Sequence, residues 1–156
     1  LPTLLQNYYM IREYSGEDKN ELLNLLRLNT PQYFAPPEEA DFINYLDYYR
    51  EDYFVVENNG QIIGSGGINY FPHNHESRLS WDIIHPDFQG RGIGKELTQH
   101  RINLLQNNPA INIVCVRTTQ LVYQFYQKMG FVLEKTEKDF WAPGFDLYQM
   151  KMILNK

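Results

Sequence analysis

Residues 80–95 of this 156-residue chain read Ser-Trp-Asp-Ile-Ile-His-Pro-Asp-Phe-Gln-Gly-Arg-Gly-Ile-Gly-Lys, and they constrain the fold more than any other stretch. Ser80 to His85 has the pattern of a strand, and Pro86 ends it because proline has no N–H to give to a ladder. Glycines at 90, 92 and 94 then precede a long amphipathic helix. Such a turn points several backbone N–H groups one way, and the helix dipole adds partial positive charge. The pair makes an anion site suited to a phosphate or pyrophosphate.

Spacing separates the motifs that use such a turn. A P-loop needs glycine five residues before its Gly-Lys pair and Ser or Thr after the lysine; here those positions hold Gln89 and Glu96. A dinucleotide fingerprint needs Gly-x-Gly-x-x-Gly; started at Gly90 it fails at Lys95, and started at Gly92 it fails at Leu97. The pattern Gln/Arg-x-x-Gly-x-Gly/Ala fits, with Gln89, Gly92 and Gly94 at its fixed positions. That pattern resembles the pyrophosphate-binding turn of the GNAT acetyltransferase superfamily, as does the preceding His85-Pro86-Asp87-Phe88.

The length suggests one domain with its own core, and 43% hydrophobic residues argues against disorder. The expected division is an N-terminal extension or cloning remnant over residues 1–9, since Met10 could itself be a start, and a single domain over 10–156. A net charge of -5 argues against nucleic-acid binding through a basic surface and mildly favours a cationic acceptor such as an amine. The lone Cys115 allows no internal disulfide and lies in an apolar strand, which suggests an inert buried thiol and a reducing compartment. No apolar run approaches the ~18 residues of a membrane span, and no signal-peptide pattern is visible. The expected location is cytoplasmic, without membrane partners.

In chain order, Met10–Tyr14 reads as a strand and Ser15–Asp18 as the acidic cap of a helix carrying Leu22, Leu23, Leu25 and Leu26. A second helix starts at Pro36–Glu39, with Phe42, Leu46 and Tyr49 as its stripe. Strands over 53–57 and 61–71 flank an Asn58-Asn59-Gly60 hairpin turn. Gly64, Gly66 and Gly67 in the second strand mark either a bulge or the close approach of another group, and could leave room for a longer acyl chain. A third strand spans 76–85. The helix after the glycine turn carries Ile93, Leu97 and Leu104 on one face. Residues 110–116 form an apolar strand expected to be covered on both sides, reached by a right-handed crossover. A short helix follows, with Val122, Phe125 and Met129 facing inward and Gly130 as its stop. Strands over 131–137 and 147–154 close the chain, joined by a loop over 138–144.

That order, β-α-α-β-β-β-α-β-α-β-β, resembles the GNAT fold from Ile11 to Leu154. A second signature agrees: Val122-Tyr123-Gln124-Phe125-Tyr126-Gln127-Lys128-Met129-Gly130-Phe131 resembles the family's Ala-x-x-Phe-Tyr-Glu-Lys-x-Gly-Phe. Val122 and Gln127 depart from it, and Thr119 stands where many members have asparagine. The implied architecture is α+β (mixed α/β): a mostly antiparallel sheet of about seven strands, its fourth and fifth strands parallel and splaying apart, flanked by four helices.

The resemblance implies an enzyme that moves an acetyl group from acetyl-CoA, its co-substrate, to an amine by direct attack in a ternary complex, with no metal. The alternative is a non-catalytic acyl-CoA-binding regulatory module. The implied cofactor contacts are Ile83 and Ile84 on the strand end; Gln89, Gly90, Arg91, Gly92, Ile93, Gly94 and Lys95 at the turn; and Thr119 and Tyr123. Tyr126 matches the family's general acid toward the CoA thiolate. Strand alternation would put Glu76, Arg78, Ser80 and Asp82 on one face, making Asp82 and Glu76 the candidate bases. His75 is a further candidate by its ordinary pKa, while His73 and His75 alone lack the ligands for a metal. Tyr33, Phe34, Phe71, Phe140 and Trp141 are the expected acceptor lining. Acceptor identity, whether small amine or peptide, stays open, as does a homodimer.

Overall fold

The computed structural model describes residues 9–156. Seven strands form one sheet: β1 (Met10–Glu13), β2 (Asp52–Asn58), β3 (Gln61–Phe71), β4 (Glu76–Ile84), β5 (Ile113–Thr118), β6 (Val132–Ala142) and β7 (Phe145–Ile153). Their spatial order is β1-β2-β3-β4-β5-β7-β6. Every pair is antiparallel except β4–β5, which is parallel. Four α-helices pack on the sheet: α1 (Lys19–Leu28), α2 (Glu38–Asn44), α3 (Ile93–Gln106) and α4 (Tyr123–Lys128). A π-helical turn, Tyr45–Tyr49, continues α2.

Strand alternation sorts the core into two layers. Phe54, Val56, Ile63, Ile68, Leu79, Val114 and Val116 face α3 and α4. Tyr53, Val55, Ile62 and Ile83 face α1 and α2, against Leu22, Leu25, Leu26 and Phe42. Each of those helix leucines is buried, worth roughly 1.5–3 kcal/mol of transfer free energy apiece. Residues 1–8, most of the expected extension, lie outside the described residues; Tyr9 packs against the α3/α4 layer.

Four expectations need correcting. The apolar stripe of α3 is Ile93, Leu97, Arg101 and Leu105, while Leu104 is 43% exposed. β5 begins at Ile113, and its burial alternates, because α3 and α4 cover one face only: Val114 and Val116 are buried, Cys115 and Arg117 half-buried. Burial pushes the Cys115 thiol's pKa up, so it stays protonated. The expected loop over 138–144 is mostly strand: β6 runs to Ala142 and turns at Pro143-Gly144. Asp139, at φ 54, holds that hairpin end, accepting from Gly144 N–H at 2.8 Å and donating its own N–H to Asp146 at 2.9 Å. Finally, β4 does not alternate cleanly. Gly67 pairs with Ser80 and Ser65 with Ile83, so two residues, Trp81 and Asp82, oppose Gly66. Trp81 takes a φ of 52, and this bulge reverses the facing of Asp82.

Candidate active site

The bulge separates residues that plain alternation would have grouped. Ser80 donates to Asn69 Oδ1 at 2.7 Å, and Trp81 packs on Phe34, Phe42 and Tyr45, all on the α1/α2 side. Asp82 turns to the α3/α4 side. There its carboxylate receives Arg101 in a fork, Nη1 to Oδ1 at 2.6 Å and Nη2 to Oδ2 at 2.8 Å, and the Tyr126 hydroxyl donates to Oδ2. Arg101 is 0% exposed and also donates to the carbonyls of Gly67 at 3.0 Å and Leu97 at 3.3 Å. Burial alone would lower the guanidinium's pKa; the Asp82 carboxylate outweighs it and the net shift is upward. Burial first, then the Asp82 charge, raise the Tyr126 phenol well above its usual value.

The glycines of β3 explain themselves against this arrangement. A Cβ on Gly66 would meet Asp82 Oδ1 at 2.5 Å and Arg101 Nη1 at 2.9 Å; one on Gly67 would meet the Tyr53 ring at 2.5 Å. Both sequence readings hold at once, a bulge and a close approach. The space is already filled, so these glycines make no room for a longer acyl chain.

β4 and β5 pair from Glu76–Ile113 to Leu79–Val116, and then part. Beyond that point Ser80 to Ile84 has β3 on one edge and an open slot on the other. A cavity of about 980 Å³ runs through the slot, at the upper end for ligand sites. One end is the glycine turn. Gly90 and Gly92 sit at φ 77 and 84, where other residues are strained. Gly94 lets Phe125 approach, its missing Cβ lying 3.3 Å from that ring. The first helical bond is Glu96 N–H to Gly92 O at 3.0 Å, so Ile93, Gly94 and Lys95 keep N–H groups with no intrahelical partner. Gln89 is tethered beside the turn, its side chain 3.4 Å from both the Tyr33 hydroxyl and Asn29 Oδ1.

Of the expected residues, Tyr126, Asp82, Ile83, Ile84, Gln89, Gly90, Gly92, Ile93, Gly94, Lys95 and Thr119 line the cavity, as do Tyr33, Phe34, Phe71 and Trp141, with Tyr33 next to Gln89 at the turn. The rest stand off the wall. Glu76 begins β4, six residues and roughly 20 Å along the strand from Asp82. Arg91 lies over the Phe88 ring, Tyr123 packs on Tyr148, and Phe140 meets Trp141 edge-on. His75 lies beyond the start of β4, with its ring Nδ1 3.1 Å from the Ala110 carbonyl oxygen. Sequence reasoning missed Arg101, although a charge at i+4 from Leu97 and i−4 from Leu105 on an apolar stripe was the available signal. It also missed Arg78 and Arg117 on the wall. Among the described residues no group of three or more potential metal ligands converges, and no helix is long and apolar enough to cross a membrane.

Residues 20–131 match the family model described as Acetyltransferase (GNAT) family. An uncharacterized N-acetyltransferase, ycf52, of Gracilaria tenuistipitata var. liui is 38% identical over 66 residues, covering 40% of this chain and 36% of that protein. The matched segment thus spans little more than a third of that relative's length. The crystal structure of the ribosomal-protein-S18-alanine N-acetyltransferase from Escherichia coli superposes with a TM-score of 0.79 at 16% identity, covering 95% of each chain. An aminoglycoside 6'-N-acetyltransferase complexed with coenzyme A gives a TM-score of 0.74 at 14% identity, covering 94% of this chain and 98% of that one. At those identities the structures speak for the fold, whereas the family model spans most of the sequence: the chain belongs to the GNAT family of acetyltransferases.

Proposed function

We propose that the chain transfers the acetyl group of acetyl-CoA to an amine acceptor by direct attack within a ternary complex. The observation that carries this reading is the parting of β4 from β5 after Leu79–Val116, with a cavity joining the glycine turn to an aromatic mouth. In this reading, the free N–H groups at Gly90–Lys95 hold the pyrophosphate, with Lys95 as a flanking cation. The unpaired edge of Ser80–Ile84 takes the pantetheine amides as an added strand would. The thioester then lies near the bulge, and the acceptor enters from the side of Phe34, Phe71 and Trp141.

Attack by the amine forms the amide C–N bond and breaks the C–S bond, leaving a thiolate. The single Tyr126 hydroxyl hydrogen, donated to Asp82 Oδ2 in the unliganded protein, turns toward that sulfur as its charge develops. Its raised pKa keeps the phenol protonated at neutral pH but makes it a weaker acid than an ordinary tyrosine. An ordinary thiol has a pKa near 8.5, so hydrogen-bond donation to the developing charge contributes more than complete proton transfer. Both Asp82 oxygens are engaged, by Arg101 and Tyr126, so Asp82 orients the phenol and the acceptor's proton leaves through water at the open mouth.

The engagement of Tyr126 by Asp82 is also what favours the second reading, an acyl-CoA-binding module without turnover. Thiol release from acetyl-CoA across a broad amine panel, alongside calorimetry of coenzyme A binding, separates the two. Acetyl-CoA binding with no thiol release from any amine would remove the enzymatic reading.

A further inference from the structure

The cavity wall carries three carboxylates and, on the β4–β5 strands, two guanidiniums. Asp82 is paired with Arg101 and Tyr126; Glu38 accepts the Ala35 N–H at 2.7 Å; and Glu51 accepts from Asn69 Nδ2 and the Tyr70 N–H, both at 3.1 Å. Among the described residues, the two guanidiniums are held by rings rather than by hydrogen bonds or carboxylates. Leu79 and Val116 pair across those strands and point into the α3/α4 layer, so their neighbours Arg78 and Arg117 point to the opposite face. They sit on adjacent strands where the strands begin to part. Aromatic rings hold both: Arg78 lies over Phe71 at 5.0 Å, and Arg117 over Phe140 at 4.9 Å and Trp141 at 5.5 Å. Each has a buried Nε with no hydrogen-bond partner. Neither makes an ion pair among the described residues. Burial, and then the neighbouring Arg78 charge, lower the pKa of Arg117, and Glu137 offsets this only in part.

Two like charges on neighbouring strands, Arg78 opposite Cys115 and Arg117 two residues further along β5, with no carboxylate paired to either among the described residues, are a cost that an anionic ligand at their Nη atoms reduces. The fork of a guanidinium matches a carboxylate in two parallel hydrogen bonds, and stacking on an aromatic ring fixes its plane in advance. We propose that Arg78 and Arg117 form a carboxylate subsite, so that the acceptor is an amine that also bears a carboxylate, such as an amino acid. This inference rests on the acetyl-transfer reading for its meaning.

The test uses matched pairs of free amino acids and their carboxamides, with the full chain, saturating acetyl-CoA and thiol release as the readout. The free acid is expected to exceed its amide by about tenfold or more in kcat/KM, the scale of one charge-assisted bidentate contact. Arg78→Gln and Arg117→Gln should each close that gap by raising the acid's KM, and Arg117→Lys should restore part of it. In parallel, N-acetylated amino acids should raise the melting temperature of the coenzyme A-saturated protein more than their carboxamides do. That readout needs no turnover. Thiol release with acid and amide equal would leave acetyl transfer standing and remove the subsite, as would a gap that persists in both glutamine variants. A carboxylate-specific thermal shift without any thiol release would keep the subsite and remove the enzymatic reading.

Discussion

Replacing Asp82 with asparagine keeps the shape of the side chain and deletes the charge that Arg101 is buried against. The fully buried guanidinium then faces an amide whose NH2 group cannot accept from it. One of the two fork bonds, 2.6 and 2.8 Å long in the protein, is lost outright. Breaking a buried ion pair from one side costs about 3–5 kcal/mol, most of it the penalty of the charge left behind. Asp82 retains 18% side-chain exposure, so water screens the pair in part and the lower end, about 3 kcal/mol, is the expected loss. At roughly 2–4 °C per kcal/mol for a chain of this size, the melting temperature of the unliganded protein should fall by roughly 6–12 °C. Removing both partners, as Arg101→Met with Asp82→Asn, takes away the stranded charge. The double variant should therefore be more stable than the sum of the two single losses predicts, by at least about 1 kcal/mol. Thermal unfolding of the four proteins closes the cycle. An Asp82→Asn melting temperature within about 2 °C of the parent, or strict additivity, would mean that Asp82 and Arg101 do not act as one coupled buried unit.

Tyr126→Phe should lower turnover by about 100-fold while coenzyme A affinity, read by calorimetry, changes by about twofold or less; unaltered turnover would take the phenol out of the chemistry. Gly92→Ala and Gly92→Asp separate two roles at the glycine turn. A Cβ there meets no atom within 4 Å, so alanine costs only the strain of φ 84, about 1–2 kcal/mol. Aspartate adds a negative charge to the anion site and should abolish measurable coenzyme A binding; equal affinities for the two variants would place the pyrophosphate elsewhere. Gly66→Ala should destabilise by about 1–3 kcal/mol in chemical denaturation, since its Cβ collides with the Asp82–Arg101 fork. Hydrogen bonding from Arg12 holds the Asp18 carboxyl below its usual 3.8. Its stabilisation is therefore complete above about pH 4 and is lost as the pH falls through the folded pKa. Asp18→Asn should accordingly be less stable than the parent at neutral pH, with the difference shrinking below about pH 4 in unfolding curves.

How far the sequence displays the fold depends on the range of the interactions concerned. The glycine turn was legible because its signal is local: positive φ at 90 and 92, a following helix, and a proline stop lie within a dozen residues. The order of elements along the chain was legible for the same reason, with periodicity and turns marking each one, whereas the insertion of β7 between β5 and β6 is a long-range pairing that no local signal carries. The β6–β7 hairpin was misjudged because Lys138 and Asp139 read as loop residues. Long-range contacts place this stretch: Ala142 pairs with Phe145 on β7 across an irregularity that begins after Glu137, and Trp141 Nε1–H donates to the Thr118 carbonyl at 3.1 Å.

The face that carries Asp82 was harder still, because one residue decides it. A single bulge at Trp81 sends Asp82 to the side opposite Ser80, and alternation predicts the reverse. Nothing local in Ser-Trp-Asp announces that bulge. Its support comes from four distant places: Gly66, whose missing side chain admits the carboxylate; Arg101, which neutralises it; the Tyr126 hydroxyl, which donates to it; and Tyr53, whose hydroxyl donates to the Trp81 carbonyl at 2.8 Å. Each is unusual on its own element: a glycine inside a strand, an arginine on an apolar helix stripe, and two buried phenols. Each of these oddities offsets the cost of another, and with the bulge in place all four are accommodated. The same logic isolates Arg78 and Arg117. They are equally irregular, since each is stacked on aromatic rings yet makes no ion pair with a described residue of the chain. The difference between an internally answered irregularity and an unanswered one is what turns these two arginines toward a ligand.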